Sequence, residues 1–314
     1  MKRGRYIVIS KLNRPKRFGE ILDVTFKLSK SHFKVFFFVS LLFFGPFFLI
    51  KALARLSTGT SFFREVGVGE GWLDRMLSSF GEDMMVDEGA PLTGADVIIG
   101  FVDFISLIVY PLLYAAIILG INHLRKNENF TIGTIVKGSF SRFWAIVGSS
   151  ILYGLITGGL ILAAIIGIFM ITFSAFFMGP VASIIFTIII FLAAAIPIFY
   201  LLTRWSFYIG SVVIDYESPG LTRSWNLTRG RVWNIIGLYI IFTLIIITIG
   251  IAVEVAFGAL LGNSVLFTLI QDVLTAFTTM IFGIGFAVVF FDLKIRHDGD
   301  YLKDMINEYN SKTV

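Results

Sequence analysis

Residues 143–203 read FWAIVGSSILYGLITGGLILAAIIGIFMITFSAFFMGPVASIIFTIIIFLAAAIPIFYLLT, and these 61 positions contain no charged residue. As a single α-helix the stretch would be about 90 Å long, roughly three times the hydrocarbon core of a bilayer. The chain must therefore turn back, and we expect the turn at Gly179 and Pro180 because proline cannot continue the helical hydrogen bonds. The stretch predicts a membrane hairpin of two helices, at about 143–170 and 181–203.

Four further apolar runs extend this pattern to the rest of the chain, at about 33–50, 97–120, 232–253 and 266–291. Hydrophobic residues make up 56% of the 314 residues and charged residues 15%, whereas a soluble protein has about 45–50% and about 25%. Strands of a membrane β-barrel would be shorter and would alternate in polarity. The sequence therefore predicts an all-α integral membrane protein with six transmembrane helices.

Positive charge is distributed unevenly between the loops. Of the 26 Lys and Arg residues, 22 lie in residues 1–34, 121–142, 204–231 and 292–314. The other four lie in the stretch 51–96, together with eight acidic residues. Because cytoplasmic loops are enriched in Lys and Arg, we expect a cytoplasmic segment 1–32, a cytoplasmic tail 292–314 and an extracellular acidic loop 51–96. Both termini would then be cytoplasmic.

A similar basic and aromatic pattern precedes each odd-numbered span. Residues 25–34 read TFKLSKSHFK, residues 139–144 read SFSRFW, and residues 224–233 read SWNLTRGRVW. Residues 17–31 have an apolar face at helical spacing, which predicts an amphipathic helix lying on the membrane surface. These features favour three copies of one unit, each an interfacial helix followed by a helical hairpin. The alternative is convergence, since many membrane proteins place such residues at the interface.

The residues predicted to mark the inner membrane boundary share basic, aromatic or hydroxyl side chains. They are Thr25, Phe26, His32, Ser139, Phe140, Arg142, Trp144, Arg204, Arg223, Ser224, Trp225, Arg229, Arg231 and Trp233. Tryptophan and arginine suit the headgroup layer because one is amphipathic and the other pairs with phosphate. We therefore expect this set to contact the bilayer and the anionic headgroups of its inner leaflet.

Three acidic residues fall within or at the ends of the apolar runs: Asp103, Glu254 and Asp272. Acidic residues inside a membrane are costly and often functional. Counted at 1.5 Å per residue, each lies about 25–32 Å from the inner end of its span, which is near the outer boundary. They are interpreted mainly as outer-boundary carboxylates; the alternative is an outward-facing ion or proton site shared by the second, fifth and sixth spans.

The segments FGEILDVTFKLSKSHF, GLTRSWNLTRGRVW and FFDLKIRHDG together resemble a bacterial multi-pass family labelled the glycerophosphoryl diester phosphodiesterase membrane domain, with related domains of unknown function. The resemblance implies a membrane module of the bacterial plasma membrane. Some members carry a soluble phosphodiesterase domain, but this chain has no room for one. The three histidines, His32, His123 and His297, are widely separated. The tail departs from the family pattern at Asp298 and in the sequence GDYL.

Several classes of function are not supported by the sequence. The chain has no cysteine and no phosphate-loop, H-E-x-x-H or G-x-S-x-G motif, so no catalytic residue, cofactor or metal site is expected. The net charge of +5 sits at the span ends, so nucleic acid is not an expected partner. The leading hypothesis is a non-catalytic module: an accessory, lipid-interacting or complex-forming subunit, with a protein partner or homo-oligomer left open. The alternative is a transporter or permease, ion-coupled through the outer carboxylates; an intramembrane enzyme ranks third.

Overall fold

We describe the protein from a computed structural model, which describes residues 12–63, 93–175, 179–262 and 264–299. These ranges contain helices and no strands. The main helices are α1 Phe18–Ser31, α2 Phe33–Ser57, α3 Gly94–Arg125, α4 Ile132–Ser141, α5 Phe143–Ala175, α6 Pro180–Trp205, α7 Leu221–Leu227, α8 Val232–Val253 and α9 Val265–Asp298. After α6 a short helix, Tyr208–Gly210, continues as a π-helical turn, Ser211–Asp215, and α8 continues through a π-helical turn, Glu254–Gly258.

The prediction of an all-α membrane protein with six spans is confirmed. Helices α2, α3, α5, α6, α8 and α9 are each long and apolar enough to cross a membrane. The chain is therefore a multi-pass membrane protein whose apolar helices contact lipid.

Several helices continue beyond the predicted spans. Helix α2 extends to Ser57 and α9 to Asp298, so residues 51–57 and 292–298 are helical rather than loop and tail. The apolar pattern indicates only the part of a helix that lies in hydrocarbon. The end of the helix is set by capping groups: before α3, for example, the side chain of Thr93 accepts a hydrogen bond from the Asp96 N–H. Most of the predicted acidic loop, residues 64–92, lies outside the described residues.

The six spans divide into a packed centre and an exposed hairpin. In the most apolar stretch of each helix, 72% of α9 and 56% of α3 is buried within the protein, against none of α5 or α6. Helix α9 packs against α1, α2, α3 and α8, while α5 and α6 pack against each other and α5 also packs against α3. The surface of the hairpin α5–α6 therefore faces lipid, which is a suitable solvent for its isoleucines and phenylalanines.

A short helix precedes each odd-numbered span, as the repeated sequence pattern predicts. Helix α1 leads into α2 through His32, α4 leads into α5 through Arg142, and α7 leads into α8 through residues 228–231. Helix α1 packs against α9 and α2 and buries Ile21, Val24 and Leu28. A short helix therefore lies before each of α2, α5 and α8, and the descent of the three units from one repeat stays a prediction.

The segment 207–210 packs tightly onto α9. The ring of Phe207 is fully buried and stacks on Phe286 with ring centroids 4.8 Å apart. Gly210 lies so close to α9 that a Cβ at this position would be 2.5 Å from two carbons of the Phe290 ring. Only glycine allows this approach, because real Cβ atoms are not found at such distances from a ring.

Candidate functional site

The three predicted outer carboxylates do not converge on one point. Asp103 on α3 forms an ion pair with Lys51 of α2. Asp272 on α9 interacts electrostatically with Lys51 and with Asp103, so these three form one mixed-charge group. Glu254 accepts a hydrogen bond of 2.9 Å from Nε2 of Gln271 and is not one of the charges that act on Asp272.

One oxygen of this outer group stands out. Oδ2 of Asp272 is buried and has no hydrogen-bond partner among the residues that the structure describes. The neighbouring tyrosine, Tyr110, interacts electrostatically with both Asp103 and Asp272. Through the ring of Tyr110, the carboxylates Asp103 and Asp272 therefore border on a large cavity in the bundle.

A cavity of about 570 Å³ lies between α3, α5, α8, α9 and the segment 206–209. We name it the tyrosine cavity after the five tyrosines in its wall. It is lined by Phe104, Leu107, Ile108, Tyr110, Pro111, Tyr114, Val147, Ser150, Ile151, Tyr153, Gly154, Ser206, Tyr208, Ile209, Tyr239, Phe282 and Phe286. Its volume lies within the range of small-molecule sites, about 300–1,000 Å³.

Three of the tyrosine hydroxyls in this wall are bonded within the protein. Tyr208 donates to Oγ of Ser150 at 2.9 Å, and the hydroxyls of Ser206 and Tyr239 are 3.0 Å apart. The hydroxyl of Tyr153 donates to the carbonyl oxygen of Leu202 at 3.3 Å. With these polar atoms paired, the three tyrosines contribute aromatic carbon to a mainly apolar wall.

The tyrosine cavity opens between α3 and α5. Phe104 and Leu107 of α3 are both 65% exposed, and Ile151 of α5 is 54% exposed, although all three line the cavity. Phe286 of α9 is buried at the opposite side. Because the exposed surface of these two helices is membrane-spanning, the opening faces the bilayer and not water.

The predicted inner-boundary residues include three pairs of a hydroxyl residue and an aromatic residue, one in each short helix. The hydroxyl residues Thr25, Ser139 and Ser224 are fully buried. Thr25 and Ser139 bond carbonyls of their own helix, whereas Oγ of Ser224 bonds the Arg204 carbonyl at 2.7 Å. The aromatic partners face outward to different degrees, with Phe26 39% and Phe140 50% exposed and Trp225 half-buried. His32 lies at the junction of α1 and α2, 2.8 Å from Oγ of Ser31.

The arginines of the predicted boundary fall into two groups. Arg142 donates to the Val212 carbonyl at 2.7 Å, and Arg204 donates to the Trp225 carbonyl at 2.7 Å with its guanidinium 3.7 Å from the Trp225 ring centroid. Arg229 and Arg231 are exposed. The first group forms contacts within the protein, and only the second resembles the lipid-facing arginines that were expected. Trp144 and Trp233 are also outward, at 82% and 64% exposed.

A chain of ion pairs links the inner ends of three elements. Asp215, at the end of the π-helical turn, pairs with Lys294 of α9 and with Arg223 of α7. Arg223 also pairs with Asp298. The exposed fractions of these four side chains are between 9% and 20%, so the charges are largely withdrawn from water. We refer to this set as the inner ion-pair chain.

Residues 12–17, which we name the N-terminal strap, lie against the end of α9. The backbone N–H of Lys16 donates to Oδ1 of Asp292 at 2.6 Å, and Arg296 donates to the Lys16 carbonyl at 2.7 Å. The Lys16 ammonium donates to the carbonyls of Leu12 and Arg14. Burial lowers the pKa of Lys16 to about 8, although Asp292 acts in the opposite direction.

The sequence did not indicate the tyrosine cavity or the role of Asp215. Tyr110 and Tyr114 are four residues apart and therefore share a helix face, which is a detectable signal. Tyr153, Tyr208 and Tyr239 come from three other segments, so only the folded chain places them together. Asp215 stood in a loop between spans, where a single acidic residue has no distinguishing pattern.

No protein-family model matches the chain, and neither the curated proteins nor the solved structures include a match. The family resemblance described above therefore stays a prediction.

Proposed function

We propose that the protein is a non-catalytic membrane module that holds an apolar molecule, foremost a lipid acyl chain, in the tyrosine cavity. The observation that carries this proposal is an aromatic-lined space of about 570 Å³ whose opening lies between two membrane-spanning helices. A lipid chain reaches such an opening without leaving the hydrocarbon layer. The proposal agrees with the family resemblance, which implies a membrane module without its phosphodiesterase domain.

Close packing supplies the binding energy in this proposal. A chain that moves from the bilayer into an apolar cavity gains little hydrophobic free energy, because the lipid tails are equally apolar. It gains close contacts with the aromatic rings of the wall, and each such contact is small but the sum is large. Shape therefore decides which apolar molecule is retained.

Filling the cavity tests the proposal. No atom lies within 4 Å of the Cβ position of Gly154, which lines the cavity, so Gly154→Phe would place a ring inside it. We expect photocrosslinking by a diazirine-labelled palmitic acid to label the buried Phe282–Phe286 region in the wild type. In the variant this labelling should fall about tenfold, equivalent to about 1.4 kcal/mol.

The matched control is Gly167→Phe on the same helix, since Gly167 also has no atom within 4 Å but does not line the cavity. This variant should keep the labelling of the Phe282–Phe286 region. In all three proteins the lipid-facing residues 184–192 of α6 should be labelled equally, which checks probe delivery. Equal labelling of the buried region in both glycine variants would contradict the proposal.

A transporter coupled to ions is the second candidate, and a specific contact favours it. Tyr110 lines the tyrosine cavity and also interacts electrostatically with Asp103 and Asp272, so a path for an ion or proton could begin at the outer carboxylates. Proteoliposomes loaded with a pH-sensitive dye distinguish the two functions. The module predicts no proton entry above that of empty liposomes, and entry that is lost in Asp272→Asn would favour the transporter.

We also propose that the chain lies in a bacterial plasma membrane with both termini in the cytoplasm. The uneven distribution of Lys and Arg supports this orientation. The exposed Arg229, Arg231, Trp144 and Trp233 support contact with anionic headgroups at the inner leaflet. A protein partner or a second copy of the chain fits an accessory role, and the cavity proposal holds with either.

The orientation can be tested directly because the chain has no cysteine. Single cysteines would be introduced by Thr58→Cys at the end of α2 and by Lys126→Cys at the end of α3, both exposed positions. An impermeant maleimide applied to intact spheroplasts should label the first variant, and should label the second only after lysis. The reverse pattern would invert the topology.

A further inference from the structure

A second, separate cavity lies at the inner end of the bundle. It has a volume of about 600 Å³ and is formed between the junction of α7 with α8 and the end of α9. Its polar lining consists of Asn226, Arg229, Arg231, Arg296 and His297. We name it the basic cleft. It shares no residue with the tyrosine cavity, so its failure would leave the cavity proposal intact, but it rests on the orientation and on the headgroup contact of Arg229 and Arg231 proposed above.

Two of the four basic side chains in this cleft are unneutralised. The guanidinium groups of Arg229 and Arg231 are exposed, and within the described ranges neither forms a hydrogen bond or an ion pair. Arg296 pairs with Asp292 at 2.8 Å, and His297 lies 3.2 Å from Asp298.

The acidic residues nearest the cleft are already engaged. Asp292 accepts from both Arg296 and the backbone N–H of Lys16, and Asp298 pairs with Arg223 of the inner ion-pair chain. Neither carboxylate lines the cleft. The cleft therefore carries a net positive charge, which attracts an anion.

Its position and donor groups define the chemistry of that anion. Helix α8 begins at Val232 with no side-chain cap at Arg231, so the first N–H groups of the helix add to the positive potential. The planar guanidinium groups of Arg229 and Arg231 can each donate two parallel hydrogen bonds to phosphate oxygens. Trp233, 64% exposed one residue into α8, is typical of the headgroup layer.

We propose that the basic cleft binds a phosphate group at the inner face of the membrane. The group is either the phosphate of an anionic phospholipid headgroup or a soluble phosphate, and the same donors serve both. Binding places two charge-assisted contacts from Arg229 and Arg231 on the phosphate, with the amide of Asn226 and the ring of His297 at the edges of the cleft.

Native mass spectrometry of the full-length protein tests the lipid source. The protein in detergent would be titrated with dioleoyl phosphatidylglycerol and with dioleoyl phosphatidylcholine, which have the same tails. We expect the wild type to bind the anionic lipid more tightly than the neutral lipid. In the double variant R229Q/R231Q this preference should fall about tenfold. The control K126Q/K137Q removes the same charge from the same side at exposed lysines outside the cleft, and should retain it.

A thermal shift measurement tests the soluble source. Sodium phosphate would be compared with sodium chloride at equal ionic strength for the same three proteins. Stabilisation by phosphate in the wild type and in K126Q/K137Q, but not in R229Q/R231Q, would support the cleft and would identify a soluble phosphate as sufficient. The proposal is overturned if neither arm separates R229Q/R231Q from its control, because the basic surface would then act only as a diffuse charge.

Discussion

Replacing Asp215 with asparagine should destabilise the fold by about 3 kcal/mol, because it removes one of the two carboxylates that balance the largely buried Lys294 and Arg223. Asp215 pairs with both Lys294 and Arg223, and its side chain is only 9% exposed. In Asp215→Asn the two cations would share Asp298 as their remaining carboxylate. Asparagine has nearly the same shape as aspartate, so the change is one of charge rather than of packing.

Unfolding by titration of a mild detergent with sodium dodecyl sulfate measures this effect. The control is Asp23→Asn, the same substitution in an ion pair with Lys27 in which both side chains are more than 40% exposed. That pair should contribute less than about 1 kcal/mol. The double variant D215N/K294M should regain part of the loss, because it removes the unpaired ammonium as well. If Asp215→Asn unfolds like Asp23→Asn, the inner ion-pair chain does not stabilise the fold.

Enlarging Gly210 should have an effect of similar size through packing. A Cβ at this position already overlaps the ring of Phe290, which is itself fully buried and has no space to retreat. Gly210→Leu must therefore push the segment 208–215 away from α9, at a cost of about 3 kcal/mol, at the upper end of the overpacking range. The displacement would also misplace Tyr208, which lines the tyrosine cavity.

The matched control for this substitution is Gly148→Leu, in the inner half of α5, where no atom lies within 4 Å of the Cβ position. It should be neutral or slightly stabilising, because leucine favours helix more than glycine does. Adding Phe290→Ala to Gly210→Leu should recover stability by making room for the new side chain. If the same detergent titration shows that the two leucine variants are equally stable, the segment 207–210 does not pack closely against α9.

The spans were predictable because the bilayer imposes a simple requirement on the sequence. Each crossing needs about 20 apolar residues whatever its neighbours are, and the run 143–203 could only be a hairpin. The short helices α1, α4 and α7 followed from the recurring pattern before each odd-numbered span. Their lengths and the ends of α2 and α9 did not follow, because they depend on capping and on contacts between helices.

The partners of the arginines at the predicted inner boundary could not be predicted from the sequence. Arg142, Arg204, Arg223, Arg229 and Arg231 all stand within four residues of a phenylalanine or tryptophan, and all were expected at the lipid headgroups. Whether such an arginine turns inward depends on a partner from another helix. For Arg142 that partner is the carbonyl of Val212, 70 residues away in the chain. No local pattern contains this information.

The two cavities were unpredictable for a related reason. A cavity forms where the surfaces of packed helices do not touch each other. The wall of the tyrosine cavity comes from five separate segments of the chain. The outer position of the three carboxylates stays a prediction, whereas Asp103 and Asp272 do share a group with Lys51. Glu254 instead contacts Gln271, and the nearly uniform hydrophobicity of α8 before it does not indicate which side of the helix it faces.

The central position of α9 has a consequence for how the chain is made. Ribosomes deliver this helix after the other five spans, yet it is the element against which α1, α2, α3 and α8 pack. The strap at Lys16 binds Asp292, 276 residues further along the chain, so it has no partner until α9 has been synthesised. A nascent chain that stalls before α9 would consequently present its polar strap and its open helix faces to the quality-control proteases of the membrane.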